Sequence, residues 1–161
     1  MTAAALVAAA RQKGLRLSTA ESCTGGLVAA ALTDVAGSSA VFDEGFVTYS
    51  NTAKQKTLGV PADVLTRHGA VSAETVAAMA DGARRVSGAH VAVSISGIAG
   101  PGGGSPEKPV GTVWLGLAVQ GHPTQVFHHR FSGDRAAVRA AAVATALTLL
   151  QEGVSVCAAS S

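Results

Sequence analysis

Strand-like and helix-like runs alternate along nearly the whole chain, separated by glycine. Alternation of this kind leads to a parallel or mixed sheet with helices on both faces. Residues 2–13 have helical character and Gly14 is a stop signal. Leu15 to Ser18 alternates as a short strand. A polar loop through Gly26 and an Ala/Leu/Val helix to Leu32 follow. Gly37-Ser38-Ser39 marks a turn or helix start. Gly45 to Ser50 has strand composition, and Asn51 is an N-cap for a helix over 52–58. A short helix spans Pro61 to Arg67, with proline in its first turn. Ser72 caps a clearer helix, in which Val76, Met79, Ala80 and Ala83 share a face. His90 to Ser96 alternates as a strand, and 97–109 is a Gly/Pro-rich loop. Val110–Val119 and Thr124–Phe131 flank a turn at Gly121-His122-Pro123, which makes them an antiparallel hairpin. The last helix opens at Ser132-Gly133-Asp134-Arg135 and runs to about Gln151, with 154–161 as a frayed tail. The expected fold is a three-layer α/β/α sandwich whose mixed sheet ends in an antiparallel hairpin.

Composition bounds the rest. A chain of 161 residues makes one domain (1–161, core about 5–152), and aromatics at 4% leave the core to Val, Leu, Ile and Ala. A formal charge of +2 excludes nucleic-acid binding by bulk electrostatics. No apolar run reaches the roughly 18 residues of a membrane span. The apolar N-terminal stretch is followed by Arg11 and Lys13, whereas a signal peptide carries its charges in front. The expected compartment is the cytoplasm. Cys23 and Cys157 make no disulfide framework. Histidines at 68, 90, 122, 128 and 129 lack metal-ligand spacing, so no metal site is expected.

Four stretches could carry chemistry. Glu21-Ser22-Cys23-Thr24-Gly25-Gly26 lies between a strand and a helix, where open α/β sheets bind ligands. Ser22 is a candidate nucleophile and Cys23 an alternative one, with free N–H groups there as an oxyanion site. The packing alternative is an N-cap serine and glycines for close approach. Tyr49-Ser50-Asn51 with Lys54 and Lys56 offers a base, because no suitable histidine accompanies Ser22 and a lysine of depressed pKa can serve. The alternative is two solvated helix charges. The loop bearing Gly97, Gly100, Gly102, Gly103 and Gly104 after Ser96 is costly to order unless backbone approach or positive φ is needed. A phosphate or ribose cradle fits it, with Lys108 as a point charge; a flexible connection is the alternative. Arg135 opposes the dipole of the helix it opens, so an anionic partner is expected, or else a surface ion pair.

Order and spacing of six motifs add to this reading. They are Thr19 to Gly26, Gly45 to Asn51 with Lys54, His68 to Ser72, Ser94 to Gly104, Lys108 to Trp114, and Phe131 to Arg135. Over about residues 5–152 the chain resembles the CinA C-terminal domain family, in its stand-alone form. The resemblance implies an amidase that hydrolyses the carboxamide of nicotinamide mononucleotide in pyridine nucleotide salvage. It implies Ser22 as nucleophile and Lys54, directly or with Tyr49, as base. Backbone N–H groups of Cys23, Thr24, Gly25 and Gly26 would hold the oxyanion. The substrate phosphate would lie against the 100–104 loop, Gly37-Ser38-Ser39 or Arg135, and Ser96 and Gly97 would border the substrate. No metal or organic cofactor is required. The Ala-rich, charge-poor helices, together with the resemblance, imply a homo-oligomer. A non-catalytic nucleotide-binding module is the competing function, and a hydrolase using Cys23 is a third.

Overall fold

A computed structural model describes residues 2–160. One five-stranded sheet has the order β2-β1-β3-β4-β5. The strands are β1 (Leu17–Glu21), β2 (Phe42–Val47), β3 (Val91–Gly97), β4 (Thr112–Val119) and β5 (Gln125–Arg130). β1 pairs in parallel with β2 and β3, while β3–β4 and β4–β5 are antiparallel. The mixed sheet and its closing hairpin match the sequence expectation. The helices are α1 (Ala3–Lys13), α2 (Leu27–Thr33), α3 (Asn51–Leu58), α4 (Ala62–His68), α5 (Ala73–Ser87) and α6 (Arg135–Val156).

Two apolar clusters give the layers. Leu6, Val7 and Ala10 of α1, Val28 and Leu32 of α2, and Leu147 and Leu150 of α6 pack on one face, against Leu17, Val93 and Leu115. Leu58, Leu65, Val76, Met79 and Ala83 from α3, α4 and α5 pack on the other, against Ala20 and Ala92. Small residues permit close approach. A Cβ at Gly82 would meet the carbonyl and side chain of Leu58, so α5 and α3 touch through a glycine.

Several boundaries differ from expectation. β1 runs to Glu21, and every residue in it is buried. Helices cover both of its faces, Leu17 packing in one apolar cluster and Ala20 in the other, so the alternation rule fails there. β2 begins at Phe42, because an edge strand accommodates exposed Asp43 and Glu44. Ser50, not Asn51, caps α3, its Oγ accepting from the Ala53 N–H at 3.0 Å. Pro61 stands at the N-cap of α4 rather than inside its first turn.

The tail is also corrected. α6 continues to Val156, and Val154 and Cys157 are buried. Lys13 Nζ donates to the carbonyls of Val154, Ser155 and Cys157 at 2.8, 2.9 and 3.1 Å, which caps the negative end of the helix. The Ser160 N–H donates to the Lys13 carbonyl at 2.9 Å. Residues 154–160 are therefore tied down rather than frayed, and Ser161 lies outside the described residues.

Candidate active site

The C-terminal end of β1 is where the chemistry-bearing residues meet. Ser22 leaves the strand with its N–H on the Ile95 carbonyl at 3.0 Å, and it is 8% exposed. Thr48 donates its N–H to the Glu21 carbonyl at 2.9 Å, carrying the chain beside Ser22 before it turns into α3. Lys54 lies one turn into α3 and projects inward, 1% exposed. Its Nζ stands 3.0 Å from Ser22 Oγ, 2.8 Å from the Thr48 carbonyl and 3.3 Å from the Tyr49 carbonyl. Burial holds the Lys54 amine below the usual lysine range; nearby Cys23 opposes that shift more weakly. The amine's three polar contacts are two carbonyl oxygens and the Ser22 hydroxyl, with no carboxylate among them. Lys54 is thus no solvated charge.

Glu21, fully buried, explains how the loop is built. Its Oε1 accepts from Thr24 Oγ1 at 2.6 Å and from the Val28 N–H at 3.0 Å, and its Oε2 accepts from the Ala29 N–H at 3.0 Å. A protein carboxylate therefore occupies the start of α2, and those two donors are taken. Gly25 and Gly26 have φ of 58° and 104°, which other residues rarely adopt.

Cys23 is 6% exposed, and burial pushes its thiol pKa up. A buried, neutral thiol is a poor nucleophile, which weighs against the Cys23 alternative.

The other sequence candidates divide. Tyr49 is 61% exposed; its phenol oxygen accepts from Arg135 Nη2 at 3.1 Å, and only its backbone carbonyl reaches Lys54. The structure therefore leaves the phenol outside the Ser22–Lys54 pair. Arg135 Nη1 donates to the Gly100 carbonyl at 2.9 Å, so Arg135 and the glycine loop are one unit. Beside them lies a cavity of about 460 Å³ lined by residues including Ala99, Pro101, Val110, Gly133 and Arg135. Ser22 and Lys54 do not line it; Arg135, which does, contacts the Tyr49 phenol, and the Tyr49 carbonyl contacts Lys54. Ser96 is buried at the end of β3, opposite Trp114. A Cβ at Gly97 would crowd Val113 and the Thr112 carbonyl, and one at Gly100 would crowd Val110, so packing accounts for both glycines. Gly102 and Gly103 are exposed at the loop tip.

Two expectations about the phosphate are corrected. Gly37-Ser38-Ser39 precedes β2, whose Phe42 aligns with Leu17, so it sits at the opposite end of the sheet from Ser22. Lys108 Nζ donates to the His68 carbonyl at 2.8 Å and lines a different cavity with Arg67, Glu74 and Trp114.

Sequence reasoning missed Arg139. Its Nε donates to the Cys23 carbonyl at 3.0 Å and its Nη2 to the Thr24 carbonyl at 3.4 Å. The available signal was its spacing, four residues after Arg135 and so on the same helix face. Among the described residues, no group of three or more His, Cys, Asp or Glu side chains gathers as a metal site, and no helix is long and apolar enough to cross a membrane.

The family model described as CinA C-terminal domain matches residues 1–154. The chain is 57% identical over 146 residues to a protein named nicotinamide-nucleotide amidohydrolase PncC from Enterobacter agglomerans, covering 90% of this chain and 89% of that one. It is 55% identical over 142 residues to the protein of that name from Escherichia coli K12, covering 88% and 86%. A CinA-like protein from Geobacter sulfurreducens is 55% identical over 88% of this chain, which spans 34% of that longer protein. The crystal structure of competence/damage inducible protein CihA from Agrobacterium tumefaciens superposes with a TM-score of 0.90 at 50% identity, covering 92% of this chain and 90% of that one. A CinA superfamily protein from Klebsiella pneumoniae does so with 0.90 at 42%, covering 95% of each. The chain belongs to the CinA C-terminal domain family.

Proposed function

We propose that this chain is an amidase that hydrolyses the carboxamide of nicotinamide mononucleotide, releasing ammonia and nicotinic acid mononucleotide. The observation that carries this is the buried Lys54 amine 3.0 Å from Ser22 Oγ, with its other contacts on carbonyl oxygens. A structural lysine gains nothing from a depressed pKa, whereas a general base requires it. The names and identities of the PncC relatives support the substrate.

Lys54 takes the hydroxyl proton as Ser22 Oγ attacks the amide carbon. The tetrahedral intermediate collapses with Lys54 protonating the departing nitrogen, so ammonia leaves and an acyl ester remains on Ser22. Water, deprotonated by Lys54, then cleaves the ester and returns the serine. The oxyanion needs donors that the fold has not consumed. The N–H groups of Cys23 and Thr24, the two residues that follow Ser22, have no oxygen acceptor among the described residues. The cavity beside Arg135 and the 99–110 loop takes the nucleotide phosphate, with Arg135 as its charge. A homo-oligomer in the cytoplasm completes the reading; light scattering at the monomer mass would remove the oligomer.

The experiment is product analysis with purified protein and nicotinamide mononucleotide, chelator present. One ammonia per nicotinic acid mononucleotide supports the proposal. Binding of the nucleotide without either product overturns it and leaves a binding module.

A further inference from the structure

The segment carrying Ser22 is a tight turn, because the Gly25 N–H donates to the Ser22 carbonyl at 3.0 Å. Cys23 and Thr24 are its central residues. Turns of this shape differ in which way the central peptide faces. Flipping that peptide exchanges the sides on which the Cys23 carbonyl and the Thr24 N–H lie, since the two point in opposite directions across a planar trans unit. Arg139, reaching down from α6, holds the Cys23 carbonyl at 3.0 Å and the Thr24 carbonyl at 3.4 Å. Drawing the Cys23 oxygen toward α6 turns the Thr24 N–H away from α6. Gly25 donates to Ser22, and Val28 and Ala29 donate to Glu21, which leaves the Cys23, Thr24 and Gly26 N–H groups of the loop without an oxygen acceptor among the described residues. The Thr24 side chain is itself fixed on Glu21 at 2.6 Å.

We propose that Arg139 is a positioning residue that locks the central peptide of the Ser22 turn in the orientation that offers the Thr24 N–H to the oxyanion. This rests on Ser22 being the nucleophile. A guanidinium suits the task because its rigid fork can hold two carbonyls at once, which an ammonium holds less well.

The test compares wild type with Arg139→Gln and Arg139→Lys. A fluorophosphonate probe reports the turn without the amide substrate. Ser22 Oγ bonds to phosphorus, the P–F bond breaks, fluoride leaves and Lys54 receives the proton, while the phosphoryl oxygen takes the oxyanion position. The rate of Ser22 labelling is followed by mass, beside kcat and KM for nicotinamide mononucleotide. Loss of one oxyanion donor lowers rates by about 10²-fold. In Arg139→Gln, labelling and kcat should fall by about that factor with KM within about threefold, and Arg139→Lys should recover part of it. A mere structural anchor would lower the melting temperature and leave the labelling rate of the folded protein unchanged. Labelling and kcat within about threefold of wild type in folded Arg139→Gln overturn the proposal. If Arg139→Gln does not fold, Arg139→Lys decides by the same two rates. Wild type that labels at Ser22 but releases no ammonia ends the amidase reading while the labelling ratio still judges Arg139. Wild type that neither labels at Ser22 nor turns over overturns both.

Discussion

Replacing Lys54 by methionine separates catalysis from stability, because its two effects on stability oppose each other while its effect on catalysis is uncompensated. Methionine keeps most of the side-chain volume and removes the amine. The buried Thr48 carbonyl then loses its 2.8 Å donor, at a cost of about 1–3 kcal/mol. The exposed Tyr49 residue can turn to water for its own lost contact. Against that, the desolvation penalty of a buried amine with no carboxylate partner disappears, which returns about as much. The balance is within about 2 kcal/mol, or roughly 6 °C in a domain of this size. Catalysis has no such compensation, since Ser22 loses its only basic hydrogen-bond partner among the described residues. The expected fall in kcat is about 10³-fold or more. Circular dichroism melting and ammonia release on the same preparation measure both. A variant that keeps a tenth of wild-type turnover, or one that melts more than about 10 °C lower, refutes the reasoning. The first result removes the base, and the second makes Lys54 a structural anchor.

Four further outcomes follow from the structure. Because burial lowers the Lys54 pKa, kcat/KM should rise with pH to a plateau whose midpoint lies below the ordinary lysine value of 10.5; a rate that falls across that range contradicts the base assignment. The unfolded chain binds the extra proton between the depressed folded pKa and 10.5, so Lys54's contribution makes stability rise with pH through that window, and denaturant midpoints that fall there once the other groups are subtracted using Lys54→Met contradict it. Cys23→Ala should keep turnover within about threefold, and maleimide should leave the native enzyme active, because the thiol is buried and its pKa raised; inactivation with a modified Cys23 would reopen the cysteine mechanism. Gly82→Ala should destabilise by more than about 2 kcal/mol although helix propensity favours alanine by about 1, because the new methyl meets the Leu58 carbonyl; an unchanged melting temperature would show that α3 and α5 separate freely.

Much of the site was legible because its pieces carry their own punctuation. The glycines of the Ser22 loop and the glycine-dense run after Ser96 each mark a place where the backbone must do something unusual. The pairing of Ser22 with Lys54 followed from the lack of a suitable histidine together with the resemblance, and the geometry places their side chains in hydrogen-bond contact. What escaped were contacts set by tertiary packing. Glu21 looks like a polar loop residue, yet it is the buried cap of α2. Arg139 looks like one more helix charge, yet it reaches the loop through α6 lying across that face of the sheet. Tyr49 was a partner of the base only as the resemblance implied, whereas its ring lies outward, on Arg135. The tail looked small and polar, and nothing in its own residues announces that Lys13 holds it.

The central claim is that Ser22 is the nucleophile of an amide hydrolysis. Ser22→Ala, assayed for ammonia from nicotinamide mononucleotide and for nucleotide affinity by calorimetry, tests it most directly. The account predicts turnover lower by about 10³-fold or more with the dissociation constant within a few-fold of wild type. Turnover that survives the loss of the Ser22 hydroxyl would contradict it.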